Sequence, residues 1–123
     1  MDNANSENES LLDYTHERQI FNENAFWNFY NAIRQLGFDY SNEAELNREL
    51  TLNLIKSYEC FLLQVGYHFD KRDIYVMKGL PANYTEYCGR LRTAVDSYLN
   101  GNPISDETEG YLNEDLKNIL INN

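Results

Sequence analysis

The chain has 123 residues, a hydrophobic fraction of 42% and a formal net charge of -10. That length suits one domain with a single core, and the charge opposes direct binding to nucleic acid or to an anionic membrane. Ten tyrosines, six phenylalanines and Trp27 supply enough large apolar bodies to exclude disorder of the whole chain.

Residues 1–10, MDNANSENES, are expected to form a mobile acidic tail, and residues 11–123 a single helical domain. The acidic start is the opposite of a signal peptide, and no apolar run approaches membrane-spanning length. A cytoplasmic protein, monomeric when free, is the expectation. Cys60 and Cys88 lack CxxC spacing and read as buried reduced thiols, with a disulfide between them left open. The sequons at Asn8 and Asn83 carry no weight without an export signal.

Leu11, Leu12, Tyr14, Ile20 and Phe21 begin to offer core side chains, as a short helix or an irregular lead-in. From Asn24, residues Phe26, Phe29, Tyr30, Ile33 and Leu36 recur at helical spacing, with Asn22 or Asn24 as cap and Gly37 as stop. A long helix is then expected over Asn42–Gly66. Asn42 and Glu45 resemble a capping box, and Leu46, Leu50, Leu54, Tyr58, Phe61 and Val65 form one stripe. Leu52, Ile55 and Leu62 form a second stripe, so the later turns read as apolar on two sides. This helix is the expected organiser of the fold.

For residues 67–82 a short strand at Ile74–Met77, a helical turn capped by Asp73 and an irregular crossover all fit the sequence. Asn83 and Glu86 repeat the capping pattern before a stripe of Tyr84, Tyr87, Cys88, Leu91, Val95, Tyr98 and Leu99, ended by Gly101 and Pro103. Gly89 inside this helix suggests a close helix–helix approach. A last helix starts at Ser105 or Asp106, meets a potential break at Gly110, and offers Leu112, Leu116, Ile119 and Leu120. The fold class is therefore all-α, a compact bundle of four to five helices around a long central one.

Catalytic chemistry finds few parts. The imidazoles are His16 and His68, and the His68–Asp73 stretch places Lys71 and Arg72 where a cation would sit, so a solvated loop fits better than a metal site. No glycine-rich phosphate cradle or nucleophile elbow occurs. Apolar surroundings would raise the thiol pKa values of Cys60 and Cys88. Glu45 and Glu49 beside Arg48 read as a solvated helix face, and Phe26, Trp27, Phe29 and Tyr30 as core, with Trp27 off the main stripe as a partly exposed anchor. No enzyme activity, cofactor or metal is expected.

The charge is concentrated at the ends: residues 1–25 carry a net of -5, residues 102–123 a net of -4, and the stretch between them -1. Acids at helix starts serve solubility and capping. Together with exposed tyrosine they also suit a basic protein partner. Asp106, Glu107, Glu109, Tyr111, Glu114 and Asp115, with Trp27, are the expected partner-binding residues.

In size, helical periodicity and the clusters Asp106-Glu107-Thr108-Glu109 and Glu114-Asp115, the chain resembles cytoplasmic immunity proteins of bacterial toxin–immunity pairs, including those of contact-dependent growth inhibition. The resemblance is one of overall character, so no family site is transferred. It implies an inhibitor that covers the active cleft of a basic toxin, such as a nuclease, with an acidic surface. Two alternatives share these features: a phage-encoded acidic inhibitor of a nucleic-acid-binding defence complex, and a helical adaptor that holds a peptide in an aromatic groove.

Overall fold

A computed structural model describes residues 10–122, with side chains through Lys117. Of the expected tail at residues 1–10, residues 1–9 lie outside the described residues, as do the side chains of Ile119 and Leu120. Ser10 is ordered against the first helical turn, its Oγ accepting the Asp13 N–H at 3.2 Å. The regular elements are all helical: a π-helical turn at Asp13–Glu17, then α1 (Glu23–Asp39), α2 (Arg48–Phe69), α3 (Tyr84–Asn100) and α4 (Asp106–Asn122). No strand occurs among the described residues. Contacts gather the chain into two compact units. Among the described residues, one holds those up to Asn31 with Glu45–Leu80, and the other Ala32–Ala44 with those from Pro81 onward. Helix α1 thus gives its first half to one unit and its second half to the other.

The first unit is built around aromatic rings. Phe21, Phe26 and Phe61 are buried and stand 5.7–6.4 Å apart, centroid to centroid, in tilted pairs. Leu11, Leu12, Ala25, Leu54, Val65 and Met77 are buried as well. The aromatic face of α1 is therefore core: Phe26, Phe29 and Tyr30 are all buried. Asn22 caps α1, accepting the Ala25 N–H at 2.8 Å.

Helix α2 corrects three expectations. It begins at Arg48, six residues after Asn42, because Asn47 takes the extended cap conformation and its side chain accepts the Leu50 N–H at 2.9 Å. Glu43 and Glu45 lie ahead of the helix. Gly66 does not end it, and the last turn runs on to Phe69. The buried face is Leu54, Ser57, Phe61, Gln64 and Val65, a single stripe at three- and four-residue spacing. Leu52, on the other expected stripe, is 50% exposed.

The crossover after α2 is irregular. It is fastened by one parallel bridge, in which Phe21 N–H donates to the Lys78 carbonyl and Lys78 N–H to that of Gln19, both at 2.8 Å. Met77 is its buried anchor, and its N–H donates to His68 Nδ1 at 2.8 Å. His68 is therefore a half-buried bracket in the last turn of α2, and the solvated part of the expected loop begins at Asp70. There the Arg72 side chain, and then its backbone N–H, hold the Asp70 carboxyl below its ordinary range.

In the second unit Ile33, Tyr87, Leu91, Ala94, Val95, Tyr98 and Ile104 are buried. Gly37 is an interior residue of α1 where a stop was expected. A Cβ there would stand 3.2 Å from Ser97 Oγ, so the close helix approach expected at Gly89 occurs at Gly37 instead. A Cβ at Gly89 would meet nothing within 4 Å. Gly101 closes α3 in the left-handed conformation (φ 73°), as expected. Helix α4 continues through Gly110. Asn83 is buried, which closes its sequon to glycosylation.

Candidate functional site

Helix α4 follows from its first turn. Ser105 Oγ accepts the Thr108 N–H at 3.1 Å, and Asp106, Glu107 and Glu109 occupy the positive end of the helix. At 100° per residue the acids of this helix fall on two sides. Glu109 points inward with Leu112 and Leu116. Glu107, Tyr111 and Glu114 point outward, with Asp115 at the edge of that face beside Leu112 and Leu116, and all four are exposed.

The two sides have different chemistry. Arg90 is 5% exposed; its guanidinium donates to Glu109 at 2.6 Å and to the Asn113 side chain at 3.1 Å. Arg34 reaches the same carboxylate at 3.9 Å, donates to the Ile104 carbonyl at 3.0 Å and to the exposed Asp106 at 2.9 Å. Glu109 thus sits between two guanidinium groups, and the pairs join α3 and the second half of α1 to α4. The Arg90–Glu109 bond lies largely away from water and holds α3 and α4 in register, whereas the Arg34–Asp106 pair is open to solvent and contributes less.

The outward side has no such consumers. Among the described residues Glu107, Glu114 and Asp115 enter no ion pair with a cationic side chain. They surround Tyr111, whose ring is 62% exposed. Of the expected contact residues, Glu107, Tyr111, Glu114 and Asp115 share one helix face. Asp106 and Glu109 are engaged by arginines, Glu109 from a largely buried position.

Trp27 belongs to the other unit. It is half-buried, with its ring edge-on to Phe26 at 4.9 Å and to Tyr30 at 5.3 Å, and its Nε1–H donates to Glu23 at 3.4 Å. These contacts make it a lid on the core with one open edge.

Arg34 and Arg90 are what the sequence reading missed. A signal was present for Arg90, which stands on the apolar stripe Tyr87, Leu91, Ala94, Tyr98 at core spacing. A cation there needs an anion brought from elsewhere.

The cysteines are half-buried and form no disulfide, and burial pushes both thiols up. No group of three or more His, Cys, Asp or Glu side chains among the described residues is placed to hold a metal ion. Among these residues, too, no helix is long and apolar enough to cross a membrane. Comparison of the chain with protein-family models, curated proteins and solved structures finds no match.

Proposed function

We propose that the protein is a stoichiometric inhibitor of the immunity type, which binds a basic toxin, such as a nuclease, through the outward face of α4. One observation carries the reading. The fold spends Asp106 and Glu109 on Arg34 and Arg90, and leaves Glu107, Glu114 and Asp115 grouped around an exposed tyrosine. Three carboxylates on one helix face present the charge spacing of a polyanion to a cationic cleft. They steer association, while a tyrosine supplies rigid contact area at low entropic cost. The net charge of -10 adds long-range attraction of the same sign.

Co-expression with the product of the adjoining gene tests this reading. The expected result is a one-to-one complex whose affinity falls steeply with added salt. Replacing Glu107, Glu114 and Asp115 together by their amides should weaken it at least tenfold and leave the helical circular dichroism unchanged. Undiminished affinity of that variant would remove α4 as the contact face, and salt-insensitive binding would point to an apolar interface.

A further inference from the structure

A second feature, in the other unit, uses none of the α4 residues. A cavity of about 480 Å³ lies between α2 and the chain on either side of it, lined among others by His16, Cys60, Gln64, Tyr67, Ile74 and Tyr75. Its lining grades from buried to open: Gln64 is 3% exposed, Tyr67 43% and Ile74 97%. The volume lies in the range of small-molecule sites.

Gln64 is the informative residue. Its Nε2 has only a weak acceptor, the Cys60 sulfur at 3.4 Å, and its buried Oε1 receives no hydrogen bond. A buried amide oxygen without a donor is costly and uncommon in native proteins. Around it the walls are apolar and aromatic, with Tyr67 and Tyr75 edge-on at 6.5 Å. Leu63, 57% exposed, adds aliphatic surface at the rim.

The backbone beside the cavity is irregular as well. His16 stands in the π-helical turn, and Gln19 adopts φ 54°, a conformation that non-glycine residues rarely take. Neither lysine nor arginine lines the cavity, whereas Asp73 does. An anionic occupant is therefore disfavoured.

We propose that this cavity binds a small, neutral or cationic molecule with an apolar ring body and one N–H or O–H group, which donates to Gln64 Oε1 once the amide, whose oxygen is shut off from solvent, turns toward the cavity. The ring lies against Tyr67, Tyr75 and Leu63, and Ile74 closes over it from the rim. An apolar body gains from leaving water, and the donor supplies the one bond that Gln64 lacks.

N-phenyl-1-naphthylamine, a neutral aromatic amine with one N–H that fluoresces in apolar surroundings, is a suitable probe. Titrated into the intact protein, it should give saturable one-to-one binding. It should also slow alkylation of Cys60 by iodoacetamide severalfold, read by peptide mass spectrometry, with Cys88 as the internal reference. Gln64→Met keeps the volume and removes the acceptor, and should weaken binding roughly fivefold, the worth of one hydrogen bond. Absence of saturable binding, equal slowing at Cys60 and Cys88, or unchanged affinity in Gln64→Met would each overturn the proposal. The protection measurement uses the native sequence, so it decides the matter even where the variant folds poorly.

Discussion

Arg90 and Glu109 meet at 2.6 Å, with the guanidinium 5% exposed and the carboxylate side chain 17% exposed. This pair divides the acids of α4 into those that hold the second unit together and those that face outward. Removing one partner of a buried pair leaves the other charge without compensation. Glu109→Ala should therefore cost about 3 kcal/mol in urea-unfolding free energy. Glu107→Ala and Glu114→Ala should each stay within about 0.5 kcal/mol of the parent. A cost at Glu109 no larger than at Glu107 would mean the pair contributes nothing to stability.

The helical glycines make a second test. A Cβ at Gly66, Gly89 or Gly110 would meet no atom within 4 Å, so alanine at each should stabilise by about 0.5–1 kcal/mol through helix propensity and a smaller unfolded-state entropy. Gly37→Ala should do the opposite. Its Cβ would press on Ser97 Oγ, which is buried and donates to the Ala94 carbonyl at 2.7 Å. Ser97→Ala removes the obstructing oxygen, so the double variant should recover part of the loss. Simple additivity in that cycle would show that the two residues do not touch.

These glycines also show where the sequence was legible and where it was not. Gly101 stops α3 because its φ is positive, and Gly37 does not stop α1, yet each follows an apolar stripe in the sequence. The same holds for Asn42 and Asn47: both offer a cap oxygen, and only the backbone turn at Asn47 decides between them. Periodicity fixed the number and order of the helices, because burying one face is a local requirement. It could not separate Glu109 from Glu107. That distinction depends on Arg34, 75 residues earlier in the numbering, and on Arg90, 19 residues earlier. The cavity at Gln64 was hidden for the same reason, since residues 73–75 reach Cys60 and Tyr67 only through the crossover.

Tyr75 gives the protein an alkaline limit. Its hydroxyl donates to the Thr15 carbonyl, and burial, followed by the neighbouring Cys60, pushes its pKa up to about 12. The folded state thus favours the neutral phenol more than the unfolded chain does, whose tyrosines titrate near 10. The resulting stability is fully present below about pH 10 and is lost as pH rises through about 12. Both thiols shift in the same direction and add to the decline. Melting temperatures of wild type and Tyr75→Phe, followed from pH 8 to 12, should differ most at the low end and converge at the high end. A constant gap would show that the phenol is not the titrating group.

Helix α2 separates two leucines that look alike in sequence. Leu54 and Phe61 are fully buried, whereas Leu52 is 50% exposed. Leu54→Asp or Phe61→Asp places an unpaired carboxylate in the core and should abolish the cooperative thermal transition. Leu52→Asp, two residues away, should retain it and lose no more than about 1 kcal/mol. Equal damage at positions 52 and 54 would mean that α2 uses both faces for packing, as its second apolar stripe suggested.

At Gln64 stability and binding should move in opposite directions. An unmatched buried oxygen costs about 1–3 kcal/mol, and methionine fills nearly the same space without it. Gln64→Met should therefore raise the melting temperature of the free protein while weakening the aromatic amine probe. A residue kept only for packing would show no such opposition. A destabilised Gln64→Met would mean that methionine does not fill the space of the amide, and the Cys60 protection measurement on the native sequence would then decide the role of the cavity. Gln64→Glu supplies the complementary control. It keeps the oxygen but replaces the Nε2 donor by a carboxylate oxygen, burying a charge beside the Cys60 thiol, and should lower the melting temperature whichever of these holds.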